Sequence, residues 1–368
     1  MRLLRLLAVA ALAAPAVLAQ YVAYFGTYTR PEKSKGIYAY RFDAATGKLS
    51  SIGVAAETAS PSFLAVHPNG RFLYAVNEQG GGSVSAFAID RSSGLLKPLN
   101  QVSSRGNGPC HLALDHTGKW LFVANYGSGS VAAYAVRDDG SLGESSGFDQ
   151  HQGSSVNAAR QKGPHAHGTF ISPDNRFVLV PDLGLDKVVV YRVDEGTLPP
   201  ADPPFFKVAP GAGPRHLAFH PNGKFAYVVT EMGINVVACR YDAQKGALEE
   251  IQIADAAPVP RDPGMSGAEI EVHPNGRFLY ASVRGDNSIA IFRVDPATGK
   301  LTSAGRASTE GKTPRAFALD PSGKFLLAAN QDSDSVVVFR VDQKTGALTG
   351  TGEKLDIFSP VSVVFVKQ

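Results

Sequence analysis

Residues 61–78 read PSFLAVHPNGRFLYAVNE: a short apolar strand, the turn Pro68-Asn69-Gly70, and a second strand rich in aromatic and branched residues. The same frame returns as GPCHLALDHTGKWLFVANYG at 108–127, GPHAHGTFISPDNRFVLVPDLG at 163–184, GPRHLAFHPNGKFAYVVTEMG at 213–233, SGAEIEVHPNGRFLYASVRGD at 266–286 and TPRAFALDPSGKFLLAANQDS at 313–333. The fixed turn position falls on Pro68, His116, Pro173, Pro221, Pro274 and Pro321, a spacing of 47 to 57 residues. That period suits four-stranded blades and is long for helical repeats, so these six copies predict an all-β propeller.

Each copy continues with a third strand, such as 83–90 or 335–342, and a Gly-x-Leu element opening a fourth, as at Gly47, Gly246, Gly299 and Gly346. No amphipathic helix of any length is expected. The chain ends supply a seventh unit: Tyr21–Tyr28, Gly36–Asp43 and Lys48–Val54 read as second, third and fourth strands without a first, and Pro360–Val366 reads as the missing first strand. A seven-bladed β-propeller of four-stranded blades, its ring closed by pairing of the N- and C-terminal strands, leaves no unpaired sheet edge at the junction.

The chain has 368 residues, 44% hydrophobic and 19% charged, which is ample apolar material for a large core. Residues 1–19 carry Arg2 and Arg5, then an apolar run from Leu6 to Leu18 too short to cross a bilayer, then Ala19 at a cleavage position. This predicts a secretory signal peptide, an exported mature chain at 20–368 forming a single propeller domain, and no membrane span within it. A formal charge of +3, falling to +1 once Arg2 and Arg5 are removed, gives no basic face for nucleic acid. Cys110 and Cys239 fall two blades apart, too far for a disulfide, and are expected as free thiols.

Propeller geometry puts the start of each first strand and the end of each second strand around one mouth of the central channel. Six residues before the turn position stand Ser62, Cys110, His167, Arg215, Ala268 and Arg315; five before stand Phe63, His111, Gly168, His216, Glu269 and Ala316. Ten residues after it stand Glu78, Tyr126, Leu183, Glu231, Arg284 and Gln331. The repeat core is uniform, whereas these rim positions vary and are polar. Solvated rim residues explain any one of them as well as function does; the converging set is better explained by a site.

Attack of water on a carbonyl needs a base and donors placed where the oxyanion develops. His167 suits the first role near neutral pH, and Arg215 and Arg284 suit binding and polarisation. Glu231 either orients these groups or is itself the acid/base group. Arg315, Glu269, His216, Glu78 and His165 are candidate substrate-binding residues, His165 alternatively pinning its loop. The longest rim connection, 150–163, is a candidate lid that would set His151 over a ligand, or a plain insertion. No nucleophile elbow, Walker loop or dinucleotide fingerprint appears, and Ser62 and Cys110 lack an evident partner for covalent catalysis. The rim arginines would repel a cation, which disfavours a metal site.

The residues GSSVNAARQKGPHAH at 153–167, Pro181–Asp186, GPRHLAFHPNGKFAYVVTE at 213–231, SGAEIEVHPNGRFLYASVRG at 266–285 and Thr313-Pro314-Arg315 resemble the seven-bladed propeller lactonases, a family that includes 6-phosphogluconolactonase and the carboxy-muconate cyclases. The resemblance covers essentially all of the mature chain. It implies hydrolysis of a small anionic lactone without cofactor or metal, and a catalytic His, two Arg and Glu that fall on His167, Arg215, Arg284 and Glu231. Ring closure by a cyclase and a non-catalytic exported binding platform are the alternatives. An exported chain departs from the family's cytosolic sugar phosphate, so another sugar lactone or an aromatic-derived lactone is an open substrate.

Overall fold

The computed structural model describes residues 20–368; the signal-peptide expectation for 1–19 lies outside the described residues. Seven four-stranded antiparallel sheets follow one another along the chain. Blade 1 combines Gln20–Thr27, Gly36–Asp43 and Leu49–Glu57 with the C-terminal strand Pro360–Lys367, which is innermost. Its register runs from Tyr21 opposite Lys367 to Thr27 opposite Pro360, so the ring closes by pairing the two ends. Blades 2 to 7 are each contiguous in sequence, with innermost strands Leu64–Val66, Pro109–Leu114, Phe170–Ile171, Pro214–Phe219, Ser266–Val272 and Pro314–Leu319. Among the described residues the sole helical element is a single 3-10 turn, Gln331–Ser333.

The uniform repeat residues are explained by contacts between blades. Phe72 packs flat over Gly140 of the next blade, where a Cβ would lie 2.3 Å from the ring, and Gly246, Gly299 and Gly346 meet Phe177, Phe225 and Phe278 in the same way. Two residues along, the Tyr74 hydroxyl donates to the Gly140 carbonyl at 2.9 Å, and Tyr227 and Tyr280 repeat this to Gly299 and Gly346. The turn histidines His67, His220 and His273 each place Nε2 within 3.0 Å of the turn-glycine carbonyl of the following blade. Conserving Phe, Tyr, His and Gly at fixed offsets thus ties each sheet to its neighbour. Seven apolar clusters result, one at each interface of the ring.

Cys110 and Cys239 are free and buried, in blades 3 and 5, as their spacing predicted. No helix among the described residues is long and apolar enough to cross a membrane.

Candidate active site

One feature of the innermost strands decides which side chains reach the channel mouth. In blades 3, 5 and 7 the pairing register skips a residue, between Pro109 and His111, Pro214 and His216, and Pro314 and Ala316. The extra residue in each β-bulge is Cys110, Arg215 or Arg315. A bulge bends the strand and re-aims its unpaired side chain, so these three turn toward the axis beside neighbours that simple alternation would oppose to them.

At this mouth a cavity of about 290 Å³ is lined by Glu78, Cys110, Tyr126, Arg160, His167, Glu231, Ser266, Arg284 and Arg315. Glu231, at the end of the second strand of blade 5, is its electrostatic centre. Oε1 accepts from Arg160 Nη2 at 2.7 Å, while Oε2 lies 3.0 Å from Arg284 Nη2 and 3.2 Å from Arg215 Nε. Burial pushes this carboxyl up, but Arg284, then Arg215 and Arg160, override it and hold it at about 2. These three guanidiniums favour the anionic form of Glu231 at neutral pH.

His167 Nε2 stands 4.0 Å from Glu231 Oε2, and its Nδ1 stands 3.9 Å from Cys110 Sγ. Burial, then Arg215 and His216, push the imidazole well below the ordinary 6.5, so it is neutral at pH 7 and free to accept a proton. Arg284 donates to the Gly267 carbonyl at 2.9 Å, yet its buried Nε has no hydrogen-bond partner. Arg215, 2% exposed, lies behind Glu231 rather than in the cavity lining; burial, with Arg315 and Arg284, brings it down to about 10.

Arg315 is the lining arginine with no carboxylate within 4.0 Å among the described residues; its guanidinium lies over the Tyr28 ring, 5.4 Å from the centroid. Burial opposes its charge, but Tyr28 and Glu78 raise its pKa. Glu78 accepts from the Tyr28 hydroxyl at 2.8 Å and from the Ser62 hydroxyl.

Counting from the turns thus leads to His167, Glu231, Arg284, Arg315 and Glu78 in the lining. Four other candidate residues, Arg215, His165, His216 and Glu269, lie outside it. His165 stacks on Tyr126 at 4.5 Å and contacts the Tyr126 carbonyl through Nδ1 at 2.9 Å. His216 pairs with Glu269, Nδ1 to Oε1 2.8 Å, below Arg215, and Glu269 borders a separate cavity further down the channel.

The expectation for the 150–163 connection needs a correction. His151 does not stand over the cavity: it is buried, bonding Asp182 through Nδ1 at 2.6 Å and the Tyr191 hydroxyl through Nε2 at 2.8 Å. The loop instead delivers Arg160, which repeat counting missed because this connection has no counterpart in other blades. A basic side chain in the one long rim connection was the available signal. Among the described residues no group of three or more His, Cys, Asp or Glu gathers as a metal-ligating cluster.

A family model described as "Lactonase, 7-bladed beta-propeller" matches residues 22–365. The chain is 38% identical over 304 residues to a 6-phosphogluconolactonase of Bacillus subtilis, covering 82% of this chain and 86% of that protein. A 6-phosphogluconolactonase of Formosa agariphila is 36% identical over 307 residues, covering 81% and 86%. Among solved structures, a periplasmic gluconolactonase of Pseudomonas aeruginosa superposes with a TM-score of 0.90 at 39% identity, covering 94% of this chain and 99% of that one.

Proposed function

The chain belongs to the seven-bladed β-propeller lactonase family, and from that membership we propose that it opens a small anionic sugar lactone by acid/base hydrolysis in the arginine-lined cavity. The observation that carries the reading is the placing of His167 4.0 Å from a Glu231 carboxylate flanked by Arg160, Arg215 and Arg284, with Arg315 uncommitted. A cavity of about 290 Å³ suits a single small ring.

In this reading His167 takes a proton from water as the oxygen attacks the lactone carbonyl carbon. The resulting imidazolium is stabilised by Glu231, and the oxyanion is met by the Arg284 guanidinium, which lines the cavity. Collapse breaks the bond from the carbonyl carbon to the ring oxygen, which receives the proton from His167. Arg315 holds the substrate's anionic group, and Glu78 accepts from ring hydroxyls. Arg215 acts behind these groups by holding Glu231. We further read residues 1–19 as an export signal and 20–368 as the mature domain, in keeping with the periplasmic relative.

A panel of sugar lactones with and without a phosphate or carboxylate, with product analysis, tests this. Hydroxy acid formation is expected from the wild type, and His167→Ala and Arg284→Ala should each lower kcat/KM by about a hundredfold or more. Activity should fall only at pH below the ordinary histidine range, because protonation of His167 removes the base. Unchanged activity in the His167→Ala, Arg284→Ala double variant would reject this site, and ring closure without uptake of water would reject hydrolysis.

A further inference from the structure

We propose that Glu269 and His216 form a buried dyad that positions Arg215, and through it the Glu231 carboxylate, without touching substrate. The inference rests on reading the upper cavity as the reaction site. Neither residue lines that cavity.

The chain of contacts is directional. Glu269 Oε1 accepts from its neighbour's backbone, Ile270 N, at 3.0 Å, and the backbone N–H of Glu269 donates to Ser282 Oγ at 2.9 Å, so the carboxylate and the backbone that carries it are each held. The same Oε1 lies 2.8 Å from His216 Nδ1. An ionised carboxylate can only accept, so with Glu269 ionised His216 Nδ1 is the donor. Burial pushes the Glu269 carboxyl up to about 7, so it is above that pH that the carboxylate sets Nδ1 as the donor.

With its proton on Nδ1, His216 presents a lone pair on Nε2, 3.3 Å from Arg215 Nη1. Nη1 also donates to the Ala268 carbonyl at 2.6 Å, so both of its hydrogens are committed. The guanidinium is thereby held on its Nη1 side, with Nε 3.2 Å from Glu231 Oε2 as a charge pair that lacks hydrogen-bond geometry. The opposite tautomer, or a protonated ring, would aim an N–H at Arg215. Burial, with Arg215 and Arg315 close by, keeps the ring neutral. Its plane is boxed by His111, His167, Phe170 and Phe63, with ring centroids 5.1, 5.3, 5.7 and 6.0 Å away. The bulge at Arg215 makes this possible, because it lets consecutive residues 215 and 216 share the channel side.

The test compares Glu269→Ala, Glu269→Gln and His216→Phe with wild type, reading kcat and KM on the lactone the wild type turns over and the ¹⁵N–¹H correlation of Arg215 Nε. Displacing Arg215 should lower kcat by about tenfold or more in Glu269→Ala and His216→Phe, with KM changed less than about threefold, because substrate contacts remain. Glu269→Gln keeps a carbonyl at Oε1 and should restore most of kcat. The Arg215 signal should persist in wild type and Glu269→Gln and vanish in the other two. Wild-type kcat in Glu269→Ala would overturn the proposal, and so would a Glu269→Gln variant as slow as Glu269→Ala, which would put the carboxylate in the chemistry. Should the wild type turn over no lactone, the functional reading fails while the Arg215 signal still decides the positioning role.

Discussion

Two glutamates of this channel are driven in opposite directions by their neighbours. Glu231 faces three guanidiniums and stays ionised down to about 2, whereas Glu271, on the innermost strand of blade 6, lines the lower channel cavity with no cation against it. Burial pushes Glu271 up to about 8, only partly opposed by the Leu319 N–H bonded to Oε2 at 2.9 Å. In the unfolded chain the same carboxyl titrates near 4.5. As pH rises from there through about 8, the unfolded chain has lost a proton that the folded one retains, so stability falls across that window and the group contributes nothing below it. Glu271→Gln, which cannot ionise, should therefore be nearly neutral at pH 5. At pH 8.5 it should stabilise by on the order of 2–4 kcal/mol, with some of the ~1.4 kcal/mol per pKa unit lost to water in the channel. Thermal or denaturant unfolding at the two pH values measures the difference; an equal effect at both would show that the channel solvates this carboxylate fully.

At the level of strands and loops, the repeat was legible because most blades set an aromatic ring over the next blade's turn glycine and four bond its carbonyl through a Tyr, and such contacts force a common spacing. The offsets of His167, Glu231, Arg284, Arg315 and Glu78 followed from that spacing alone. What spacing could not convey is a bulge, because strand alternation sends residues 215 and 216 to opposite faces, whereas the extra residue brings both to the channel. Spacing alone therefore presents His216 and Glu269 as rim candidates without revealing that neither lines the upper cavity. Nor could spacing reach Arg160, whose loop belongs to no blade. That loop is anchored by His151 on Asp182, by Ser155 on Asp186 at 2.5 Å and by the Gln161 amide on the Leu183 carbonyl at 2.8 Å, leaving the Arg160 side chain to span from Tyr126 to Glu231. Because Arg284 and Arg215 still hold Glu231 when Arg160 is removed, Arg160→Ala should spare the chemical step and weaken substrate binding. KM should rise about tenfold, the worth of one charge-assisted hydrogen bond, with kcat within about twofold. Steady-state kinetics separate the two, and a fall in kcat with KM unchanged would move Arg160 into the chemistry.

The whole ring depends on a strand that arrives last. Pro360–Lys367 supplies the inner edge of blade 1 and packs Val363 and Phe365 against the blade 7 interface and Val364 and Val366 against the blade 2 interface. Ser362 Oγ also accepts from Leu64 N at 3.1 Å, joining blade 1 to blade 2 at the axis. Deleting residues 360–368 would remove buried Val361, Val363 and Val366, at roughly 1.5–3 kcal/mol each, a loss comparable to the ~5–15 kcal/mol that stabilises a typical fold. It would also bare the strand Gln20–Thr27 as an open edge. Blades 2 and 7 would lose their contacts with this strand, and a ring lacks ends at which damage can stop, so the deletion should abolish cooperative folding rather than fray blade 1. The same contacts predict a rescue. Tyr21 opposes Lys367, so the two ends of the described residues lie side by side, and a short Asn-Gly link from Gln368 to Gln20, replacing residues 1–19, would make blade 1 a continuous hairpin-built sheet like the rest. A circular permutant starting at Ser359 and ending at Phe358 should fold with nearly native stability and keep any lactonase activity of the parent. Circular dichroism and thermal unfolding of the deletion and the permutant decide the matter, since a cooperatively folded deletion protein would mean that the six remaining complete blades close without the seventh's inner strand.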